Sequence, residues 1–279
     1  MSVGDVTENV IDPAHVQISH DGTLGKRENA QPSEMEVIEN SSQGIRGRLR
    51  GINKPNQPWT QLEFIASNFV NYKYSIPQRG VIGGVAFYSI PLGKGRCRIF
   101  VRNYSSFKTW KLKLTPRWLD HMFRNKILEE DMSLVIGQKA QIERLGQSLK
   151  EVFLPLKTCD TFVLEYYKWL DKFGSSLPYY QGYSTCKNID SSDENSSTPM
   201  LLDRFSQHTR LCSSCSRANL VTNQVKQSFV VVAIALAALA ILTETWIQVV
   251  AVSASLGAVG LAVAAEKLKT HFERPYTRQ

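Results

Sequence analysis

The segments that decide the fold are TQLEFIASNFV (residues 60–70), GVAFYSIPL (residues 84–92) and RCRIFVRNY (residues 96–104). Apolar and polar residues alternate along them, as they do in EMEVIE and GIRGRLRG nearer the N-terminus. Clusters of Gly, Pro and Asn separate these segments. A period of two predicts β-strands, and the turn-forming separators predict hairpin connections. The sequence therefore predicts a meander of antiparallel strands between Ser33 and Tyr104.

Helical periodicity follows the strands. Apolar residues recur at three- and four-residue intervals over residues 116–146, and a second helical segment, KTCDTFVLEYYKWLDKFG, covers residues 157–174. In that second helix Phe162, Tyr166 and Trp169 fall on one face, which predicts packing across the sheet. Strands followed by long packed helices predict an α+β domain with an antiparallel sheet.

Two apolar segments lie near the C-terminus, FVVVAIALAALAIL (residues 229–242) and VVAVSASLGAVGLAVAA (residues 249–265). Each suits a short spanning helix, and Glu244 is expected in the turn between them because a carboxylate is costly at mid-bilayer. Trp246 is expected at the membrane interface. Basic residues flank the pair on both sides: Lys226, Lys267, Lys269 and Arg274. We therefore predict a C-terminal transmembrane hairpin whose two ends face the cytoplasm or, in a plastid, the stroma.

The charge balance agrees with a membrane partner. The 279 residues carry a formal net charge of +8. The basic residues are scattered, and no aromatic-basic recognition motif accompanies them, so a nucleic-acid partner is not expected. The five cysteines are too few and odd in number for a secreted disulfide scaffold.

The stretch ENVIDPAHVQISHDG (residues 8–22) carries the chemistry. Asp12 followed by proline predicts the N-cap of a short helix, with His15 in its first turn and His20 near its end. Five residues along a regular α-helix set two side chains roughly 140° apart. The helix must therefore loosen or stop near Ser19 for both imidazoles to face one metal ion.

Such an ion needs a third ligand, and the long helix of residues 116–146 offers Glu129, Glu130 and Asp131. Two histidines and one carboxylate leave open positions on Fe(II) for dioxygen. The spacing alone does not choose among the three acidic residues. His121, on the same helix, is expected at the surface.

The motif Asp-Pro-Ala-His-x₄-His resembles the iron site of Rieske-type non-haem oxygenases, as do HDGTLGKRENAQP and ILEEDMSLVIGQ. The resemblance is closest to the plant and algal branch that includes pheophorbide a oxygenase, the Rieske-type component of the Tic translocon and the protochlorophyllide-associated translocon oxygenase. It implies the helix-grip catalytic fold and His15, His20 and Asp131 as ligands of mononuclear Fe(II). It also implies that Asp12 orients a ligand histidine and relays electrons from the Rieske cluster of a neighbouring subunit.

The same resemblance implies a mono- or dioxygenase of a chloroplast membrane, inner envelope or thylakoid, with its catalytic domain facing the stroma. The implied substrates are O₂ and a chlorophyll-related tetrapyrrole: pheophorbide a, a phyllobilin or protochlorophyllide. Ferredoxin is the implied electron donor, and a homotrimer the implied assembly. Substrate-binding residues stay unassigned, because the sheet aromatics could line a pocket or form ordinary core: Phe64, Phe69, Phe87 and Tyr88.

A Rieske [2Fe-2S] cluster needs Cys-x-His and Cys-x-x-His pairs, and none occurs in these 279 residues. We therefore expect this chain to lack the cluster domain, either as part of a longer protein or as a polypeptide that takes electrons from another. The first residues, MSVGDVTENVID, contain acidic residues and do not resemble a transit peptide.

The pair Cys212 and Cys215 forms a Cys-x-x-Cys motif, which could be half of a zinc site, a redox dithiol or inert. No second Cys-x-x-Cys or histidine pair stands nearby in sequence to complete a zinc site; His208 alone does not suffice. The resemblance implies a thioredoxin-accessible dithiol, so redox regulation is the favoured interpretation.

Together these patterns predict a catalytic domain followed by four shorter parts. The five parts are the catalytic domain (residues 1–183), a flexible polar linker (184–210), the Cys-x-x-Cys segment (211–224), two transmembrane helices (225–268) and a basic tail (269–279). The alternative function is a non-catalytic, membrane-anchored, redox-sensing subunit or scaffold of the Tic translocon.

Overall fold

The structure is a computed structural model. It describes residues 2–53, 56–93, 96–107, 114–177 and 203–275. The chain divides into two compact units, and each is described by itself. The first unit extends to residue 113 and resumes over residues 130–194, and the second contains residues 114–129 and those from 195 onward.

The first unit contains the predicted sheet, which has six antiparallel strands in sequential order. The strands are β1 (Ser33–Ser41), β2 (Gly44–Gly51), β3 (Thr60–Ile65), β4 (Phe69–Ile76), β5 (Val81–Gly93) and β6 (Arg96–Ser105). The meander is thus confirmed. The segment read from sequence as one strand over residues 60–70 is a tight hairpin, in which Ile65 pairs with Phe69.

Seven α-helices accompany the sheet in the described part of the chain. They are α1 (Val3–Ile11), α2 (His15–Ser19), α3 (Arg117–Leu145), α4 (Leu149–Val152), α5 (Thr161–Phe173), α6 (Ser213–Leu242) and α7 (Trp246–Glu273). Helix α3 contributes its first part to the second unit and its remainder to the first. The α+β class is therefore confirmed.

Helix α5 covers one face of the sheet, as its aromatic stripe predicts. Phe162, Tyr166 and Trp169 are all buried. The ring of Phe64 on β3 lies 5.0 Å from those of both Tyr166 and Trp169, in edge-to-face contact. Trp169 also donates a hydrogen bond from Nε1 to the carbonyl of Ser41 at 2.7 Å. Each buried aromatic side chain contributes roughly 1.5–3 kcal/mol by leaving water.

Helices α6 and α7 form the C-terminal hairpin of the second unit. Each is long and apolar enough to span a membrane, so the pair could form a transmembrane hairpin. They run antiparallel: Ser255 donates a hydrogen bond to the carbonyl of Ala233, and Lys226 pairs with Glu266. Glu244 lies exposed in the turn between the helices, where the sequence places it.

Both hairpin helices extend beyond the apolar segments from which they are predicted. Helix α6 begins at Ser213, so the Cys-x-x-Cys segment forms its N-cap and first turn. The predicted linker is only partly described, since residues 184–202 lie outside the described ranges. Its last residues differ from the prediction: Phe205–Thr209 form a π-helical turn, with Arg204 and Thr209 buried. Polar composition is misleading here because Arg204 has a buried carboxylate partner.

Candidate metal centre

Helix α1 brings the metal motif to the sheet. A capping box between Ser2 and Asp5 begins this helix, and its apolar residues Val6, Val10 and Ile11 are buried in the core of the first unit. Val3, Val6 and Val10 recur at three- and four-residue intervals, a signal in the sequence that could have predicted this helix. Its role is to fix the chain immediately before the motif.

Asp12 lies between two helices and not at the start of one. It is the C-cap of α1, and α2 begins at His15 with Ala14 at its N-cap. The prediction of Asp12 as an N-cap is therefore wrong. The side chain of Asp12 instead accepts a hydrogen bond from the backbone N–H of Ala14 at 2.7 Å, which forms the turn that joins the helices.

Helix α2 stops before His20, as it must if both histidines are to face one ion. Its last residue is Ser19, and the backbone carbonyl of His20 then accepts hydrogen bonds from the N–H groups of Thr23, Leu24 and Gly25. Gly25 is needed at this turn, since a Cβ atom there would lie 2.3 Å from the carbonyl oxygen of Val16. The tight turn fixes the orientation of His20.

The structure brings together the three predicted ligands. Oδ1 of Asp131 lies 3.1 Å from Nε2 of His20 and 3.7 Å from Nε2 of His15. The two imidazole rings are 5.5 Å apart in an edge-to-face arrangement. His20 is buried, and the other two side chains are largely covered. One ligand atom from each residue lies within 4.8 Å of the others, which is the spacing of a metal site.

The second nitrogen of each histidine has its own partner. Nδ1 of His15 lies 2.5 Å from the carbonyl oxygen of Asp12, and Nδ1 of His20 lies 2.9 Å from Oε2 of Glu130. Thr23 donates a hydrogen bond to the same Glu130 oxygen at 2.8 Å. A carbonyl can only accept, so Nδ1 of His15 carries the proton. This arrangement directs both Nε2 lone pairs at Asp131 and is the usual support for metal-bound histidines.

The three consecutive acidic residues of α3 point in different directions, because successive residues of an α-helix are rotated by about 100° about its axis. They therefore have three separate roles. Asp131 faces the histidines, and Glu130 supports His20. Glu129 belongs to the second unit, where it pairs with Arg204 through two hydrogen bonds of 2.6 and 2.5 Å. Sequence spacing leaves these acids equivalent, and the phase of the helix distinguishes them.

These residues fit a divalent cation. Oδ1 of Asp131 is buried and accepts no hydrogen bond, and it faces two Nε2 lone pairs whose repulsion a cation would relieve. Burial alone would lower the pKa of His20, but the neighbouring carboxylates of Asp131 and Glu130 outweigh burial and raise it. The site therefore attracts positive charge. Two imidazoles and one carboxylate are the ligand set of non-haem Fe(II) sites.

A cavity of about 480 Å³ opens beside His15, and Asp12 and Glu8 lie in its wall. Gln138 donates a hydrogen bond to Glu8 at 2.7 Å, and burial raises the pKa of Glu8 to about 7. The sheet aromatics considered for a substrate pocket do not line the described wall of this cavity. Phe64 belongs to the core instead.

The Cys-x-x-Cys pair lies in the second unit with two histidines. Cys212 and Cys215 are free thiols, and Cys215 is buried. His121 and His208 both lie within 3.5 Å of at least one of the two sulfurs. The prediction of His121 as a surface residue is therefore wrong, because this side chain is half-buried against the cysteines. The redox role of the pair stays a prediction.

Comparison with known proteins identifies relatives along nearly the whole chain. The pheophorbide a oxygenase family matches residues 64–148. Protein TIC 55 of Pisum sativum is 32% identical over 97% of this chain and 55% of its own length. Pheophorbide a oxygenase of Oryza sativa is 27% identical over 95% of this chain and 53% of its own length.

A third relative, the protochlorophyllide-dependent translocon component 52 of Arabidopsis thaliana, is 25% identical over 96% of this chain and 55% of its own length. The chain thus spans about half the length of these curated relatives, all of which are named as chloroplastic. No solved structure matches. The chain belongs to the plant oxygenase family that contains pheophorbide a oxygenase and TIC 55.

Proposed function

We propose that this chain is the catalytic and membrane part of a Rieske-type oxygenase, in which His15, His20 and Asp131 hold mononuclear Fe(II). The observation that carries the proposal is the convergence of two Nε2 atoms on the buried, otherwise unbonded Oδ1 of Asp131. When bound, Fe(II) with three protein ligands on one face supplies open positions for dioxygen. Family membership favours iron over zinc at this ligand set.

The remaining residues of the centre position the ligands. Glu130 holds the ring of His20, and the Asp12 carbonyl holds the ring of His15. The Asp12 side chain lies 3.9 Å from the same His15 ring and retains 27% of its exposure, beside the cavity. We assign to Asp12 the contact with an electron-delivering [2Fe-2S] domain, supplied from outside these residues by a neighbouring subunit of a homotrimer. Ferredoxin is the proposed donor.

The proposed substrate is a chlorophyll-related tetrapyrrole: pheophorbide a, a phyllobilin or protochlorophyllide. Support comes from the names of the relatives, two of which refer to pheophorbide a and protochlorophyllide. In the monooxygenation we propose, one atom of O₂ enters the substrate and the other leaves as water. Two electrons come from the donor and two protons from solvent. The proposed location is a chloroplast membrane, inner envelope or thylakoid, with the first unit in the stroma.

Iron binding tests the centre. The detergent-solubilised chain is titrated with Fe(II) without oxygen, as the parent and as His15→Ala, His20→Ala and Asp131→Ala. We expect about one ion per chain in the parent and at least a tenfold weaker affinity in each variant, because each loses one of three ligands. His271→Ala, in the second unit, is the matched control. Unchanged iron affinity in all three variants would rule out the site.

The alternative is a non-catalytic translocon subunit or scaffold, favoured by the relative named as a translocon component. The intact ligand set argues against it, because a scaffold does not require two histidines directed at one carboxylate. The two functions differ in oxygen consumption. A full-length protein that binds iron, receives electrons from reduced ferredoxin and consumes no O₂ with any of the three tetrapyrroles would support the scaffold.

A further inference from the structure

We propose that His121, His208, Cys212 and Cys215 form a tetrahedral Zn²⁺ site in the second unit. His121 lies on α3, His208 in the π-helical turn, Cys212 at the N-cap of α6 and Cys215 in its first turn. One ligand atom from each residue lies within 4.8 Å of the other three. None of its four ligands belongs to the proposed iron centre, and the proposal does not depend on the function of that centre.

The distances match those of a bound zinc ion. Nδ1 of His121 lies 3.4 Å from Sγ of Cys212 and 3.5 Å from Sγ of Cys215, while Nε2 of His208 lies 3.4 Å from Sγ of Cys215. Zinc binds thiolate at about 2.3 Å and imidazole at about 2.0–2.1 Å, so a tetrahedral ion separates sulfur from nitrogen by roughly 3.5 Å. The side chains therefore need little movement to take up the ion.

Ordinary hydrogen bonds do not account for the arrangement. Nδ1 of His121 carries either one proton or one lone pair, so it can bond with only one of the two sulfurs at a time. Cys215 likewise lies against both histidines. The four groups therefore converge on a common point and do not form two separate pairs. Convergence of thiols and imidazoles on one point is typical of a metal site.

The surrounding backbone holds the ligands in place. The carbonyl of His208 accepts hydrogen bonds from the N–H groups of Leu211 and Cys212, which ties the turn to the start of α6. On either side of His208, Arg204 pairs with buried Glu129, and Thr209 donates a hydrogen bond to the carbonyl of Phe272 at 2.6 Å. Local π-helical geometry is frequent at functional sites. The ligands are thus held before any ion binds.

The chemistry of the ligands selects zinc. Two thiolates and two neutral imidazoles form a Cys₂His₂ set, which is one of the usual closed structural zinc sites, whereas carboxylate-rich sets suit magnesium and calcium. Bound zinc would hold both cysteines as ligands. The same pair could then form a disulfide only after release of the ion, so zinc occupancy and the predicted dithiol exchange exclude each other.

The test is metal analysis of the full chain in detergent, purified under reducing conditions from zinc-supplemented cells. We expect about one zinc ion per chain beyond any metal at the iron centre. After chelation, titration with Co²⁺ should give tetrahedral d–d bands and thiolate-to-metal charge transfer. The charge-transfer band identifies this site, because the proposed iron centre has no sulfur ligand. Because this titration uses the parent chain and no variant, a folding defect cannot obscure the result.

Variants then assign the ligands. Cys215→Ser and His121→Ala should each weaken Co²⁺ binding at least tenfold and diminish the charge-transfer band. Cys159→Ser and His271→Ala are matched controls outside the cluster and should leave both unchanged. The proposal is overturned if the reduced parent chain binds Co²⁺ without a charge-transfer band. It is also overturned if the parent contains a Cys212–Cys215 dithiol and no zinc, or if His121→Ala retains full affinity.

Discussion

Nδ1 of His20 lies 2.9 Å from Oε2 of Glu130, and both side chains are almost completely buried. Glu130 is next to the proposed ligand Asp131 in sequence, so one turn of α3 supplies both the carboxylate that faces the ion and the carboxylate that orients a histidine ligand. A shift of α3 by one residue would disrupt both contacts. The proposed centre is therefore coupled to the position of this single helix.

Glu130→Gln should weaken Fe(II) binding about tenfold while all three ligands remain. The amide keeps the shape of the side chain but loses the charge that orients and polarises His20, and such supporting contacts contribute 10- to 100-fold to metal affinity. Titration of the solubilised chain with Fe(II) without oxygen measures the effect. Glu28→Gln is the control, because Glu28 is exposed. Equal affinity of Glu130→Gln and the parent would show that Glu130 does not support the centre.

Glu8 should make stability fall as the pH rises. Burial raises its pKa from 4.5 to about 7, so the folded chain favours the protonated form. The resulting stabilisation is complete below pH 4.5 and is lost as the pH rises through 7. This stabilisation is at most about 3 kcal/mol, and solvent screening at the cavity wall makes it smaller. Glu8→Gln should therefore unfold at a higher temperature than the parent at pH 8, with the difference shrinking towards pH 5. A pH-independent difference would contradict this prediction.

Removing one partner of the Arg204–Glu129 pair should destabilise the second unit. Both side chains are buried, and Arg204→Met would remove the arginine that pairs with the buried carboxylate of Glu129, at a cost of about 3–5 kcal/mol. The double variant Glu129→Met with Arg204→Met should recover most of that loss, since no charge is then buried. Thermal unfolding in detergent measures both. Lys26→Met, in an exposed pair with Glu28, should cost less than about 1 kcal/mol. Equal losses in the single and double variants would contradict the pairing.

Gly47→Ala and Gly137→Ala should act in opposite directions. A Cβ atom at Gly47 would lie 2.3 Å from the ring of Phe162 and 2.7 Å from the carbonyl of Glu36, so helix α5 would have to move, at about 1–3 kcal/mol. At Gly137, inside α3, nothing lies within 4 Å of a Cβ atom. Alanine there should stabilise the helix by about 0.5–1 kcal/mol. Similar unfolding temperatures for the two variants would show that α5 is not tightly packed on β2.

Local patterns predicted much of the fold because the physics behind them is local. Alternation over residues 33–105 reflects a sheet with one covered face, and the stripe containing Phe162 and Trp169 reflects the helix that covers it. Helix α1 was not predicted although Val3, Val6 and Val10 have helical spacing, because its 9 residues form a shorter pattern than the window of about 11–18 residues over which helical periodicity is recognised. The buried turn at Arg204 escaped because an arginine in sequence does not reveal its carboxylate partner.

The sequence by itself determined the antiparallel sheet, the long helices, the apolar hairpin and the short spacing of His15 and His20. Only the contacts in the tertiary structure distinguished Asp131 from its two acidic neighbours. Only the tertiary structure placed His121 beside cysteines more than ninety residues away in sequence. The physical reason is the range of the interactions. Period and capping depend on neighbours a few residues apart, whereas a metal centre depends on the phase and packing of helices that are remote in sequence.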